Sequence, residues 1–375
     1  MRLLRFFVLF VLAIGSLLSL AVGVHQALHG SIDFQWSGAH IFAQHRDAYA
    51  VFLHGDPGHE LLLSQIPNYL HEYYIMILPL GMLSFATALR IWCVFNVLAA
   101  FTAILLVRYI LRLNNTQTMW TALLFLSCTP LRVVLANGQA SMFYLLLILA
   151  ALAVRSSIAK GLWLGLSWFK YSFGPVFFMT WLFQRRWVVL AFSMIAPLIG
   201  LVALFELVHT HGLLLEPLQS ANISVSPGYG DLMTFTKVMA HVQAGHASSK
   251  LRVILPYIVS LGGTIACALW LAMKKLDEAL QCAILFALTL LLFPHLDYDF
   301  VVLLYPLAFV LRSTDLRRKI PCVVAICALW FGPTLVSRLH LKDTLTALVA
   351  NALLLILLTY SLARFGSAEK SAQAA

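Results

Sequence analysis

Apolar residues in this chain fall into long blocks with short polar breaks. The blocks cover 6–24, 73–89, 91–111, 119–135, 140–154, 161–183, 187–208, 252–273, 278–293, 299–311, 320–337 and 344–363. Most approach the ~20 residues that an α-helix needs to cross a bilayer. The pattern predicts an all-α fold: a polytopic transmembrane helical bundle of about 11–13 spans, some of them broken or short. Residues 1–365 read as one transmembrane domain and 366–375 as a disordered cytoplasmic tail.

Two polar stretches interrupt the blocks, at 25–72 and 209–251. In the first, Ile41, Phe42, Tyr49, Phe52 and Leu53 recur near a 3.6-residue period, with Gln44, His45, Arg46 and Asp47 between them. That spacing predicts an amphipathic helix lying in the membrane interface. The second holds Ser226-Pro227-Gly228-Tyr229-Gly230-Asp231, a turn-rich run, and several histidines. The block 161–183 is interrupted by Lys170, with Gly165, Gly174 and Pro175 around it. Two half-length helices meeting at Lys170 would account for this. Freed backbone at membrane depth is tolerated only where it is buried in protein or lines a cavity, so Lys170 is expected to face one.

Composition fixes the class. Of the 375 residues, 61% are hydrophobic and 11% charged, against about 25% charged in soluble proteins. The net charge of +10 could indicate a nucleic-acid partner. The cations, however, sit in short clusters between apolar blocks: Arg108/Arg112, Arg155/Lys160, Arg185/Arg186, Lys274/Lys275 and Arg312 with Arg317/Arg318/Lys319. Cytoplasmic loops of membrane proteins have this distribution, and no polyanion is required. Arg2 and Arg5 keep the start of the first segment in the cytoplasm, as a retained signal anchor. Three apolar segments then separate Arg2 from Arg108, an odd number, so one of them is re-entrant or one cluster is misplaced. The six cysteines lie within apolar runs without CxxC spacing and read as small hydrophobes.

Asp33 stands out chemically. It follows the first segment in Ser31-Ile32-Asp33-Phe34-Gln35-Trp36, where the orientation rule places it on the extracytoplasmic side, and Trp36 sets it at headgroup depth. A carboxylate there can take the proton from an attacking hydroxyl. Asp47 and Asp56 are rivals, one on the polar side of the interfacial helix and the other in an Asp-Pro-Gly turn. Arg132 and Asn137-Gly138-Gln139 form an outer turn whose amides suit sugar hydroxyls and whose guanidinium suits a phosphate; Asn-Gly by itself makes a plain hairpin turn equally well. Lys170 is a second phosphate candidate. Pro294-His295-Leu296-Asp297-Tyr298-Asp299 brings a histidine and two acids to one turn, as an exposed hairpin or as part of a cavity. No firm metal-ligand spacing occurs there or elsewhere. Tyr69, Tyr73 and Tyr74 match an aromatic belt, while Tyr69, His71 and Glu72 could shape a cavity mouth. Asn114-Asn115-Thr116 and Asn222-Ile223-Ser224 match glycosylation sequons, a weak signal.

In order along the chain, several stretches resemble glycosyltransferase family 87. These are Asp33-Phe34 after the first helix, Pro67 to Pro79, Leu89-Arg90-Ile91-Trp92-Cys93-Val94-Phe95-Asn96, Asn137-Gly138-Gln139, and Gly161 to Pro175 before a basic loop. The resemblance covers about residues 20–310. It implies a GT-C type membrane enzyme that moves mannose or a related hexose from a polyprenyl-phosphate donor to a lipid-linked or envelope glycan acceptor. It further implies inversion at the anomeric carbon, with Asp33 as general base and with Lys170 and Arg132 on the leaving phosphate. Such a scheme calls for no cofactor and does not require a metal. The implied location is the plasma or inner membrane, with the active site on the extracytoplasmic face. The other readings are a lipid or polysaccharide transporter or flippase, which also needs broken helices, and a membrane-bound acyltransferase or polymerase, for which His295 with Asp297 would serve.

Overall fold

A computed structural model describes residues 2–224, 230–243, 249–274, 276–338 and 344–374. Ser226 to Tyr229 of the predicted second-loop turn therefore lie outside the described residues. The described chain is helical throughout and has no strand, with 81% of it in helices. In order, the α-helices are α1 (Arg2–His29), α2 (Trp36–Ala43), α3 (Ala48–Leu53), α4 (His71–Gly81), α5 (Phe85–Leu111), α6 (Asn115–Ser127), α7 (Thr129–Asn137), α8 (Ser141–Ala153), α9 (Ser157–Ser167), α10 (Gly174–Phe183), α11 (Trp187–Ser193) and α12 (Ile195–Val208). They continue as α13 (Glu216–Ser224), α14 (Leu232–Gln243), α15 (Ser249–Lys274), α16 (Glu278–Leu292), α17 (Leu304–Arg312), α18 (Leu316–Arg338) and α19 (Thr344–Ala374).

Among the described residues, five stretches are long and apolar enough to cross a membrane: Phe6–His29, Phe85–Leu111, Trp187–Val208, Ile254–Lys274 and Thr346–Phe365. The bent pair α6 and α7 makes a sixth if it counts as one span. On α5, Ile91, Val94, Leu98, Phe101 and Leu105 are all exposed while Trp92, Asn96, Ala99, Ala103 and Val107 are buried. The exposed stripe repeats every three to four residues and is apolar apart from Thr102, as suits a lipid-facing surface. α1 buries Ser16, Ser19 and Ala27, small side chains that let helices approach closely within a bilayer.

The predicted span 73–89 is instead α4, 11 residues long and about 16 Å in reach, too short for a hydrocarbon core of about 30 Å. Its removal leaves α1 and α5 between Arg2 and Arg108, and the odd count becomes even. The predicted interfacial helix is likewise two helices, α2 and α3. His45 takes a positive φ of 60°, and the Asp47 carboxylate accepts the Tyr49 and Ala50 amides at 2.9 and 3.2 Å, starting a new helix. Ile41, Phe42 and Tyr49 are buried in protein, so these helices do not lay that face on lipid. Asp47 thus serves as a helix cap, while Asp56 closes the loop that follows α3, accepting the amides of Glu60 and Leu61. Asn114 of the first sequon forms a capping box with Gln117 at the start of α6.

The chain divides into two compact units, Met1–Leu106 with Leu131–Tyr171 and Trp187–Ser226, and Val107–Pro130 with Ser172–Arg186 and Pro227–Ala375. The first unit centres on aromatic side chains, with Phe34, Phe42, Tyr49, Tyr73, Tyr74 and Phe169 fully buried. Within it α4 lies against α2 and α12, and α9 against α8 and α11. The second unit is built around α16, in which every residue from Leu280 to Leu292 is buried. A helix apolar on all sides belongs at the centre of its unit, and α10, α14, α15, α17 and α19 pack around this one.

Candidate functional site

The turn that follows α7 organises the first unit's polar interior. Gly138 has φ +68°, which lets the chain reverse after Asn137. A Cβ at Gly138 would come within 2.8 Å of the Phe34 Cβ and 3.1 Å of the Ser31 Oγ, so this turn lies directly on the segment that carries Asp33. The Asp33 amide donates to the Asn137 carbonyl at 2.9 Å. The Trp92 indole N–H donates to the Gly138 carbonyl at 2.7 Å, and the Trp92 ring stacks on Phe34 at 5.3 Å. The Asp33 carboxylate is thus carried by a half-buried turn whose backbone is held by residues 137 and 138.

Gln139 is buried, and its amide oxygen accepts the Tyr69 hydroxyl at 3.0 Å. Two residues on, the Ser141 hydroxyl accepts the Lys170 ammonium at 2.7 Å. Lys170 is 6% exposed and sits where the helix is interrupted between α9 and α10, as the sequence predicts. Its neighbour Phe169 accepts the Leu70 amide through its carbonyl at 3.3 Å. Asp33, Asn137, Gln139, Tyr69 and Lys170 therefore converge on one stretch, 137–141. Arg132 stands on α7, about a turn and a half before Asn137, and is half-buried.

Several expectations need correction. Tyr69, Tyr73 and Tyr74 do not form a belt: Tyr69 is 8% exposed and the other two are fully buried, because α4 is enclosed by α2 and α12. Trp36 is also buried, its indole N–H reaching the Leu80 and Leu83 carbonyls at the end of α4. His71 donates its Nε2–H to the Leu213 carbonyl at 2.7 Å, which ties the start of α4 to the 212–214 turn. Beside it, Glu72 is 3% exposed with no hydrogen-bond partner on either carboxylate oxygen among the described residues.

The remaining candidates belong to the second unit. The 294–299 turn is not an exposed hairpin, since His295 is 4% and Asp299 3% exposed. A 3-10 helix, Asp297–Leu303, starts there, with the Asp299 carboxylate accepting the Leu296 amide. His295 Nδ1–H donates to the Phe293 carbonyl at 3.2 Å, and Nε2 has no hydrogen-bond partner among the described residues. Asp297 accepts the Tyr298 amide at 2.8 Å, and burial raises its carboxyl above the usual range.

Ser141 and the role of Trp92 were hidden in the sequence. Ser141 starts an apolar helix and resembles any cap residue, and only its position two residues past Gln139 hinted at it. Within the first unit the arrangement offers an acid on a fixed turn, amides suited to hydroxyls, and a buried cation suited to a phosphate. A family model described as Glycosyltransferase family 87 matches residues 73–296, more than half of the chain. The match includes Arg132, Asn137, Gln139, Lys170 and His295, while Asp33, Tyr69 and His71 precede it and Asp297 and Asp299 follow it. No curated protein and no solved structure matches. The chain belongs to glycosyltransferase family 87, and it is a membrane glycosyltransferase.

Proposed function

We propose that the protein transfers a hexose, mannose first among the candidates, from a polyprenyl-phosphate donor to a lipid-linked or envelope glycan acceptor. The reaction occurs at the extracytoplasmic face of the cell membrane. The observation that carries this reading is that one stretch, 137–141, holds Asn137 and Gln139 and is bonded by the backbone amide of Asp33 and by the Lys170 ammonium. A base, hydroxyl-binding amides and a phosphate-binding cation are what such a transfer needs, and a lipid phosphate donor requires no nucleotide-binding domain.

In the proposed step the Asp33 carboxylate takes the proton of the acceptor hydroxyl as its oxygen attacks the anomeric carbon. The bond from that carbon to the phosphate oxygen breaks from the opposite side, its electron pair leaving on the polyprenyl phosphate, so the configuration inverts. Lys170 and Arg132 offset the charge that grows on the phosphate; fixed donors of this kind are worth a few kcal/mol in a site that excludes water. Asn137 and Gln139 orient the sugar through its hydroxyls.

Purified protein in nanodiscs, given labelled polyprenyl-phosphate mannose and a lipid extract of the host, is expected to form a new labelled lipid product. The same protein given labelled nucleotide-linked mannose should form none. Transfer from the nucleotide donor alone would refute the reading.

A further inference from the structure

Four buried tyrosines lie together around the start of α4, and three of their hydroxyls donate to protein acceptors. Tyr49 donates to the Tyr69 carbonyl at 2.8 Å, Tyr69 to Gln139 at 3.0 Å and Tyr74 to Gln35 at 2.8 Å. Tyr73, fully buried, donates to no described residue. A buried tyrosine hydroxyl ordinarily finds an acceptor, and an unmet one is unfavourable in a low-dielectric interior.

The position of Tyr73 matters as much as its missing acceptor. Its ring lies 4.8 Å from that of Tyr69, the partner of Gln139, and 4.8 Å from that of Phe169, the residue before Lys170. The rings of Phe143 and Trp92 are 6.4 and 6.5 Å away. The Tyr73 ring thus packs against the side chain that holds Gln139 and against the residue that precedes Lys170. An unmet hydroxyl on a ring packed against that residue is free to donate to an anionic oxygen, and charge-assisted bonds of that kind are the strong ones.

We propose that Tyr73 is a ligand-binding residue of this site, its hydroxyl donating to a phosphate oxygen of the lipid-phosphate donor beside Lys170. This rests on the donor assigned above. It also makes an unusual demand: the hydroxyl should weaken the empty protein and strengthen the loaded one.

The test uses the full chain in detergent, wild type against Tyr73→Phe, with farnesyl phosphate and farnesol as probes. Melting temperature is read without ligand, and binding is read by calorimetry. Tyr73→Phe is expected to melt at or above the wild-type temperature when empty, because an unmet buried donor is gone. It should bind farnesyl phosphate about tenfold or more weakly, as befits one lost charge-assisted bond, and farnesol unchanged. Binding of farnesyl phosphate within twofold of wild type would overturn the role of Tyr73 and leave the donor assignment standing. A variant that fails to fold, or that melts several degrees lower when empty, would overturn it too, by giving the hydroxyl a structural partner. A wild type that does not bind farnesyl phosphate would overturn the donor assignment and this inference with it.

Discussion

At the scale of single residues, Gly138 links fold to chemistry most tightly. Its backbone occupies the left-handed region, and its α-carbon faces Phe34 and Ser31 with no room for a methyl group. Gly138→Ala should therefore combine a backbone cost with overpacking, roughly 2–4 kcal/mol together, and should displace the Asp33 turn. Gly55 provides the control: it has φ +82° but open space around it, so Gly55→Ala carries only the backbone cost. Thermal unfolding of the two variants checks this, with transfer activity lost in the first alone. Residue types also show what was legible in the sequence. Lys170 was marked by being polar inside an apolar block, Asp33 by following the first segment, and Asn137 and Gln139 by standing in the short break between two blocks. Tyr73 and Ser141 were not, because a tyrosine near a span and a serine before a helix have ordinary explanations.

At the scale of elements, breaks were legible only where the sequence punctuates them. Lys170 among Gly165, Gly174 and Pro175 announced the gap between α9 and α10. The apolar run through 73–89 concealed that α4 ends at Gly81, and the periodic apolar positions of 41–53 concealed the start of α3 at Asp47. That start has a further consequence. Asp47 caps α3 and meets Glu216, the first residue of α13, which packs on α3. Burial first, then the hydrogen bond to the Asp47 carboxyl, pushes the Glu216 carboxyl from near 4.5 up to about 7. Between those values the folded protein keeps a proton that the unfolded chain releases, so stability falls as pH rises through this window. Below and above it, this group adds no slope. The melting temperature should drop between pH 5 and 7.5, and Glu216→Gln should flatten the drop; an unchanged slope in the variant would show that other groups carry it.

At the scale of the whole molecule, the class was visible in composition alone. A chain 61% hydrophobic and 11% charged, with its cations clustered between apolar blocks, has few alternatives to a polytopic helical membrane protein. The five long apolar helices and the family match over 73–296 agree with that reading. What composition could not supply was which polar residues converge, because contacts such as Tyr69 to Gln139 and Lys170 to Ser141 span 70 and 29 residues of sequence. His71 illustrates the converse. It is close in sequence to Tyr69, yet its ring is committed to Leu213, 142 residues away.

The central claim is that this membrane glycosyltransferase uses Asp33 as its base. The direct measurement is single-turnover transfer from labelled polyprenyl-phosphate mannose by wild type and Asp33→Asn, with donor binding measured in parallel. The account predicts that Asp33→Asn binds the donor normally and transfers about 10²–10⁴-fold more slowly, the usual contribution of a positioned base. Transfer by Asp33→Asn within a few-fold of wild type would contradict it.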